Sequence, residues 1–194
     1  MDQFMAISQG IGTSLAAGVR PFLTTLFVGA MARADVGVDF DGTEYAFLES
    51  VFWLVLMLVL IVGAWLLDRS DIEVPEATWA VTAGALGGVL FAGSLAEQGY
   101  DYASAAGLLA GVLFALFAFL AARAFLGGAS ERLVARGESD ATIQVLGDLA
   151  AIVLAALALL VSPVSYVALA FCAWVLLARR RRAGQKYEGL RILR

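Results

Sequence analysis

Arg20 is the residue best placed to do chemistry in this chain. It lies inside the apolar stretch from Phe4 to Ala32, immediately before Pro21 and two residues after Gly18. In a bilayer-spanning segment a guanidinium costs about 2.5–3.5 kcal/mol on insertion scales, so it is normally paired or faces a polar cavity. Asp148 is the partner that the sequence offers, about two turns into a later apolar segment. Together they would form a buried pair that fixes a bundle, or a gate that must open. The plainer alternative places Arg20 near an interface, which a long side chain reaches by snorkelling. It places Asp148 at a helix N-terminus, where the macrodipole favours an acid. Thr13, Ser14, Thr24 and Thr25 flank the break at Gly18 and Pro21. Their hydroxyls would line a pathway or satisfy carbonyls that the proline frees.

Other chemistry is excluded by residue type. There is no histidine, which removes imidazole metal ligands, Ser-His-Asp catalysis and histidine proton relays. Cys172 is the single cysteine, so no intrachain disulfide forms. Without clustered carboxylates an enzyme is the least favoured class, and no metal or cofactor is expected. Net charge is −4 and the pI is about 4.8, against a nucleic-acid partner.

The elements that must position Arg20 follow from hydropathy. Of 194 residues 61% are hydrophobic and 15% charged, with a mean hydropathy of +0.86. A soluble domain runs nearer half apolar and a quarter charged. The excess sits in runs that do not alternate, such as Val51 to Leu67 and Leu108 to Ala122, so a β-barrel is rejected. The expected fold is all-α, a polytopic transmembrane bundle forming one domain over 1–194. Six segments are expected: Phe4 to Ala32, Leu48 to Leu67, Ala77 to Ala96, Tyr102 to Leu126, Thr142 to Val161 and Val164 to Leu177. The first 34 residues imitate a signal peptide, with Phe22 to Ala30 apolar and Ala32-Arg33-Ala34 like a cleavage site, but Asp2 stands where a basic start belongs and the apolar character begins at Phe4, so the segment is expected to be retained.

Charge asymmetry sets an orientation. The tail over 179–194 carries Arg179, Arg180, Arg181, Arg182, Lys186, Arg191 and Arg194 against Glu188, and is expected on the cytoplasmic side, where it would also meet lipid headgroups. The loop Asp35 to Glu49 holds five acids and no base and is expected outside. Six crossings with both termini cytoplasmic satisfy every loop, in the plasma membrane of a prokaryote. The first segment holds about 29 residues, roughly 43 Å of straight helix against a core of about 30 Å. Regular helix is therefore expected to fail between Ala17 and Phe22.

Leu26 to Gly37 aligns with Leu116 to Gly127, matching Arg33 to Arg123. Opposite orientations for these ends suit an inverted three-plus-three repeat, 1–97 against 98–182, although two Ala/Leu-rich helices also produce such an echo by chance. Gly10 with Ser14, Gly84 with Gly88, and Gly107 with Gly111 have the spacing of close helix packing, within the bundle or between copies in a homo-oligomer.

Several of these pieces carry a resemblance. Gly10 to Phe22 (GIGTSLAAGVRPF), Leu67-Asp68-Arg69 with Pro75, Ala83-Gly84-Ala85-Leu86, and Gly147-Asp148-Leu149 followed by Pro163 and an Arg-rich tail fall in order along nearly the whole chain. In this order the chain resembles the domain of unknown function 4126 family of prokaryotic integral membrane proteins. It departs from that pattern in the longer stretch Asp68 to Pro75 and at Thr24-Thr25, where a Pro-Leu-Leu-like run is usual. The resemblance implies a membrane protein and supplies no activity. Two functions are open: a transporter or channel for a small solute or ion, an anion suiting Arg20 best, or a non-catalytic protein that organises lipids or partners.

Overall fold

The computed structural model describes residues 2–70, 74–100, 104–134 and 140–191. Among these there are seven α-helices and no strand: α1 Asp2–Val19, α2 Pro21–Arg33, α3 Val51–Asp68, α4 Glu76–Glu97, α5 Ser104–Val134, α6 Asp140–Leu160 and α7 Val164–Arg191, with a 3-10 turn at Ala46–Glu49 before α3. Local chemistry sets several boundaries. Pro21 opens α2, where its missing N–H is no loss. Ser50 caps α3 by accepting from the Trp53 N–H at 3.3 Å. Gly99, at φ +78, ends α4, and the Tyr100 N–H reaches back to the Leu95 carbonyl at 3.0 Å. Asp35 does the same for α2 at φ 54, with the Val36 N–H on the Met31 carbonyl. α5 and α7 continue past the expected ends at Leu126 and Leu177. The Gly127 to Val134 stretch and the Arg-rich tail carry helix formers that prolong a helix already nucleated.

The first segment is not one continuous helix. Arg20 alone is non-helical, at φ −144 and ψ 87, and the chain turns there. Continued straight, Gln9 and Gly37 would be about 42 Å apart. Instead Gln9 Nε2 donates to the Gly37 carbonyl at 2.9 Å. α1 and α2 are thus a helical hairpin with Arg20 at its tip. The beginning of α1 lies beside the start of α7, where Phe4 stacks on Tyr166, and beside the loop after α2. Since α7 runs away from this end, the start of α1 and the described end of α7 lie at opposite ends of the bundle. This arrangement lends no support to termini on one face: the sequence locates the break but not the angle through which it turns the chain.

The hairpin also separates the two halves. Residues 1–97 form α1 to α4 with the first pair doubled back, whereas α5, α6 and α7 are each continuous, so the proposed repeats do not correspond helix for helix. Arg33 donates to the Glu49 carbonyl at one end while Arg123 pairs with Glu76 at the other.

α1 is the central helix, packed on α4, α5, α6, α7 and α2. Its small residues allow this. Ser14 donates to the Gly87 carbonyl at 2.8 Å, Gly10 meets the Phe91 ring, and Gly18 meets the Ala115 carbonyl. α4 and α5 cross where Gly88, Gly107 and Gly111 leave no room for a Cβ. Gly84 differs, because a Cβ there meets Val112 at an ordinary 3.4 Å, so its GxxxG spacing with Gly88 marks no close approach of its own. Gly12 and Gly87 make tight contacts that the spacing argument missed. α3 stands apart: among the described residues its backbone comes close only to α2 and the 3-10 turn.

Candidate functional site

A cavity of about 490 Å³ lies around the hairpin tip. Five elements meet there: Gly18 to Leu23 of the hairpin, the end of α3 with Trp65, Trp79 on the first turn of α4, Phe119 to Leu126 of α5, and Gln144 and Asp148 of α6. The close Gly18–Ala115 contact brings the tip against α5, and Phe22 meets Trp79 edge-on at 6.2 Å. The separation of α3 from α4 keeps the cavity open as a cleft.

The structure brings Arg20 and Asp148 together. Arg20 Nε lies 2.7 Å from Asp148 Oδ1, off the N–H axis, and Nη2 donates to the Gln144 carbonyl at 3.3 Å. Gly147 lies beneath the guanidinium: a Cβ there would stand 3.5 Å from Nε. The two side chains keep 31% and 47% of their surface exposed. The pair therefore borders the cleft, with Arg20 Nε itself buried and the rest of both side chains partly exposed. Thr24 and Thr25 are buried behind the cleft and do not line it. Thr25 Oγ1 donates to the Pro21 carbonyl at 2.8 Å, whereas the Thr24 hydroxyl has no partner among the described residues.

Further cations surround the cleft. Arg123 Nη1 lies 3.1 Å from Glu76 Oε1, and its guanidinium is 5.5 Å from the Phe119 ring centre. Arg69 covers the Trp65 ring at 3.7 Å, a cation–π contact. Beyond its place in the echo with Arg33, Arg123 is an arginine inside the fourth apolar segment, which is itself a signal in the sequence. Trp65 and Trp79 form two of the cleft walls.

The opposite end of the bundle is acidic. Asp39, Asp41 and Glu49 offer oxygens within 4.8 Å of one another, and the Asp39 N–H donates to Glu97 Oε1 at 3.3 Å. Partial burial, then Asp41, Asp39 and Asp35, push the Glu49 carboxyl above its ordinary value. Asp41 is already engaged locally, its N–H bound to Asp39 Oδ1 at 2.8 Å. Arg179, Arg180 and Arg181 are exposed far along α7, while the side chain of Arg182 lies outside the described residues.

The chain matches no family model, no curated protein and no solved structure. Fold and cleft alone therefore define its class: among the described residues it is all-helical, with two helical stretches, Glu76–Glu97 and Ser104–Leu126, long and apolar enough to cross a membrane.

Proposed function

We propose that this protein is embedded in a prokaryotic plasma membrane and carries an anionic solute, or the anionic headgroup of a lipid, through the cleft at Arg20. Apolar surface supports the embedding. Phe52, Val55, Leu58, Val59 and Val62 on α3, Leu109 and Leu113 on α5, and Val167 and Phe171 on α7 are all exposed. Soluble monomers rarely expose apolar surface on this scale. α3 to α7 would be five crossings, with the hairpin entering from the acidic face. α2 is about 20 Å long, short of a hydrocarbon core of about 30 Å, so the Arg20 tip would end inside the membrane's thickness. Irregular backbone at such depth is tolerated where it lines a cavity. The basic end would be cytoplasmic and the acidic end outside. The absence of Lys and Arg before Arg20 fits a start on the outer side.

The observation that carries the transport reading is an accessible cleft whose charged residue sits at a helix break, as in many carriers. The Arg20–Asp148 contact would act as its gate, opened when an anion competes for the guanidinium. The test is reconstitution into liposomes, with two readouts: efflux of entrapped anions and transbilayer movement of a fluorescent anionic phospholipid. Wild type should exceed protein-free vesicles in at least one. Arg20→Gln should abolish that movement while thermal unfolding remains cooperative. Wild-type protein that unfolds cooperatively yet moves neither probe would sink the transport reading. A lipid-organising role, favoured by the basic α7 end, would then replace it.

A further inference from the structure

Resting on the membrane reading, we propose that the cleft at the hairpin tip is a binding site for a phosphate-bearing amphiphile, with its phosphate on Arg20 and Arg123 and its chain in the gap between α3 and α4. Charge favours an anion. Arg20 and Arg123 line the cleft and Arg69 covers its Trp65 wall, against Asp148 in the lining and Glu76 beside it. A guanidinium has five N–H donors. Arg20 engages Nε and Nη2, and Arg123 engages Nη1. These contacts use fewer than the five N–H donors that each guanidinium carries, so both arginines retain donors for phosphate oxygens.

Size and walls favour an amphiphile over a bare anion. About 490 Å³ greatly exceeds what inorganic phosphate fills and is within the range of sites for larger organic ligands. Apart from Arg20, Arg123, Asp148 and Gln144, the side chains of the lining are apolar, with Leu23, Ile61, Trp65, Trp79, Phe119 and Leu126 the largest walls. Apolar walls give inorganic phosphate no compensation for its lost hydration. A glycerol backbone and the first carbons of an acyl chain match those walls. The chain has an exit, because among the described residues the backbone of α3 does not come close to α4 or α5, and the cleft opens between them. Ion pairing of each arginine with an acid keeps the empty cleft near neutrality, so the ligand's phosphate would displace Glu76 or Asp148.

The test uses tryptophan quenching by lipids with brominated chains. Full-length protein with Trp53→Phe and Trp174→Phe retains only Trp65 and Trp79, the two cleft walls. It is reconstituted in phosphatidylcholine vesicles doped with brominated phosphatidylglycerol or brominated phosphatidylcholine. The anionic lipid should quench at lower mole fraction. Arg123→Gln should reduce this preference about tenfold, the scale of a lost charge-assisted contact. Glu76→Gln, which frees Arg123, should strengthen it, so the proposal does not depend on a variant that fails to fold. Equal quenching by both lipids in the parent protein would overturn the headgroup site. Quenching by neither would show that the helices are not in the bilayer, a failure of the membrane reading itself. If inorganic phosphate at millimolar concentration removed the preference, the site would be one for a free anion and the amphiphile would be excluded.

Discussion

Replacing Asp148 by Asn removes one charge from the Arg20 pair with almost no change in shape, and two views of the cleft predict different costs. For unit charges 2.7 Å apart, Coulomb energy is about 1.5 kcal/mol at the dielectric of water and about 6 kcal/mol at an effective value of 20. Breaking a sealed pair costs about 3–5 kcal/mol, because the remaining charge stays buried. With 31% and 47% of the side chains exposed, the solvated limit applies, and exposed pairs contribute about 0.2–1 kcal/mol. Asp148→Asn should therefore destabilise the protein by at most about 1 kcal/mol, roughly a fivefold change in the folding equilibrium. In a chain of this size that is a fall of about 2–4 °C in Tm. Thermal unfolding of purified protein would measure it, and a double-mutant cycle with Arg20→Gln would isolate the coupling. A loss above 3 kcal/mol would mean that Arg20 is shut away from water, and the accessible cleft would be wrong. Zero coupling in the cycle would mean that the two side chains do not pair.

Three further outcomes follow from the same geometry. In a Cys172→Ala background, cysteines at Gln3 and Asp39 should react with an impermeant reagent from one side of the membrane and a cysteine at Arg181 from the other; labelling of Gln3 and Arg181 positions from the same side would undo the hairpin. Gly18→Ala forces its Cβ against the Ala115 carbonyl and should cost about 1–3 kcal/mol. Gly84→Ala has room and should be neutral, or gain up to about 1 kcal/mol from helix propensity, in the same unfolding assay. Finally, because the folded state raises the Glu49 pKa above its ordinary 4.5, folded protein binds that proton more tightly than unfolded protein. Its contribution to stability is greatest below 4.5 and declines as pH rises through the raised value. Glu49→Gln should match wild type at about pH 4 and be the more stable near neutrality, and identical Tm profiles across that range would contradict the burial and crowding of this carboxyl.

Sequence by itself determined the helical class, because the apolar runs are long and do not alternate. It also located the break, because Pro21 lacks an N–H and can begin a helix but not continue one. Pairing of Arg20 with Asp148 was legible for a similar reason: few charges lie within the apolar segments, and each needs a partner. What remained hidden was direction. A break at one residue is compatible with a kink or a reversal, and nothing local distinguishes them. The reversal depends on contacts 28 residues apart, such as Gln9 on Gly37, and on small residues at Gly10, Ser14 and Gly18 that let α1 lie at the centre. The cleft was hidden too, because Trp65, Trp79 and Arg123 are far apart in the chain and become neighbours only when α3 stands away from α4 and the hairpin tip reaches between them. Hydropathy reports how apolar a segment is; which side of it meets another helix, and how closely, is fixed by the packing of all seven.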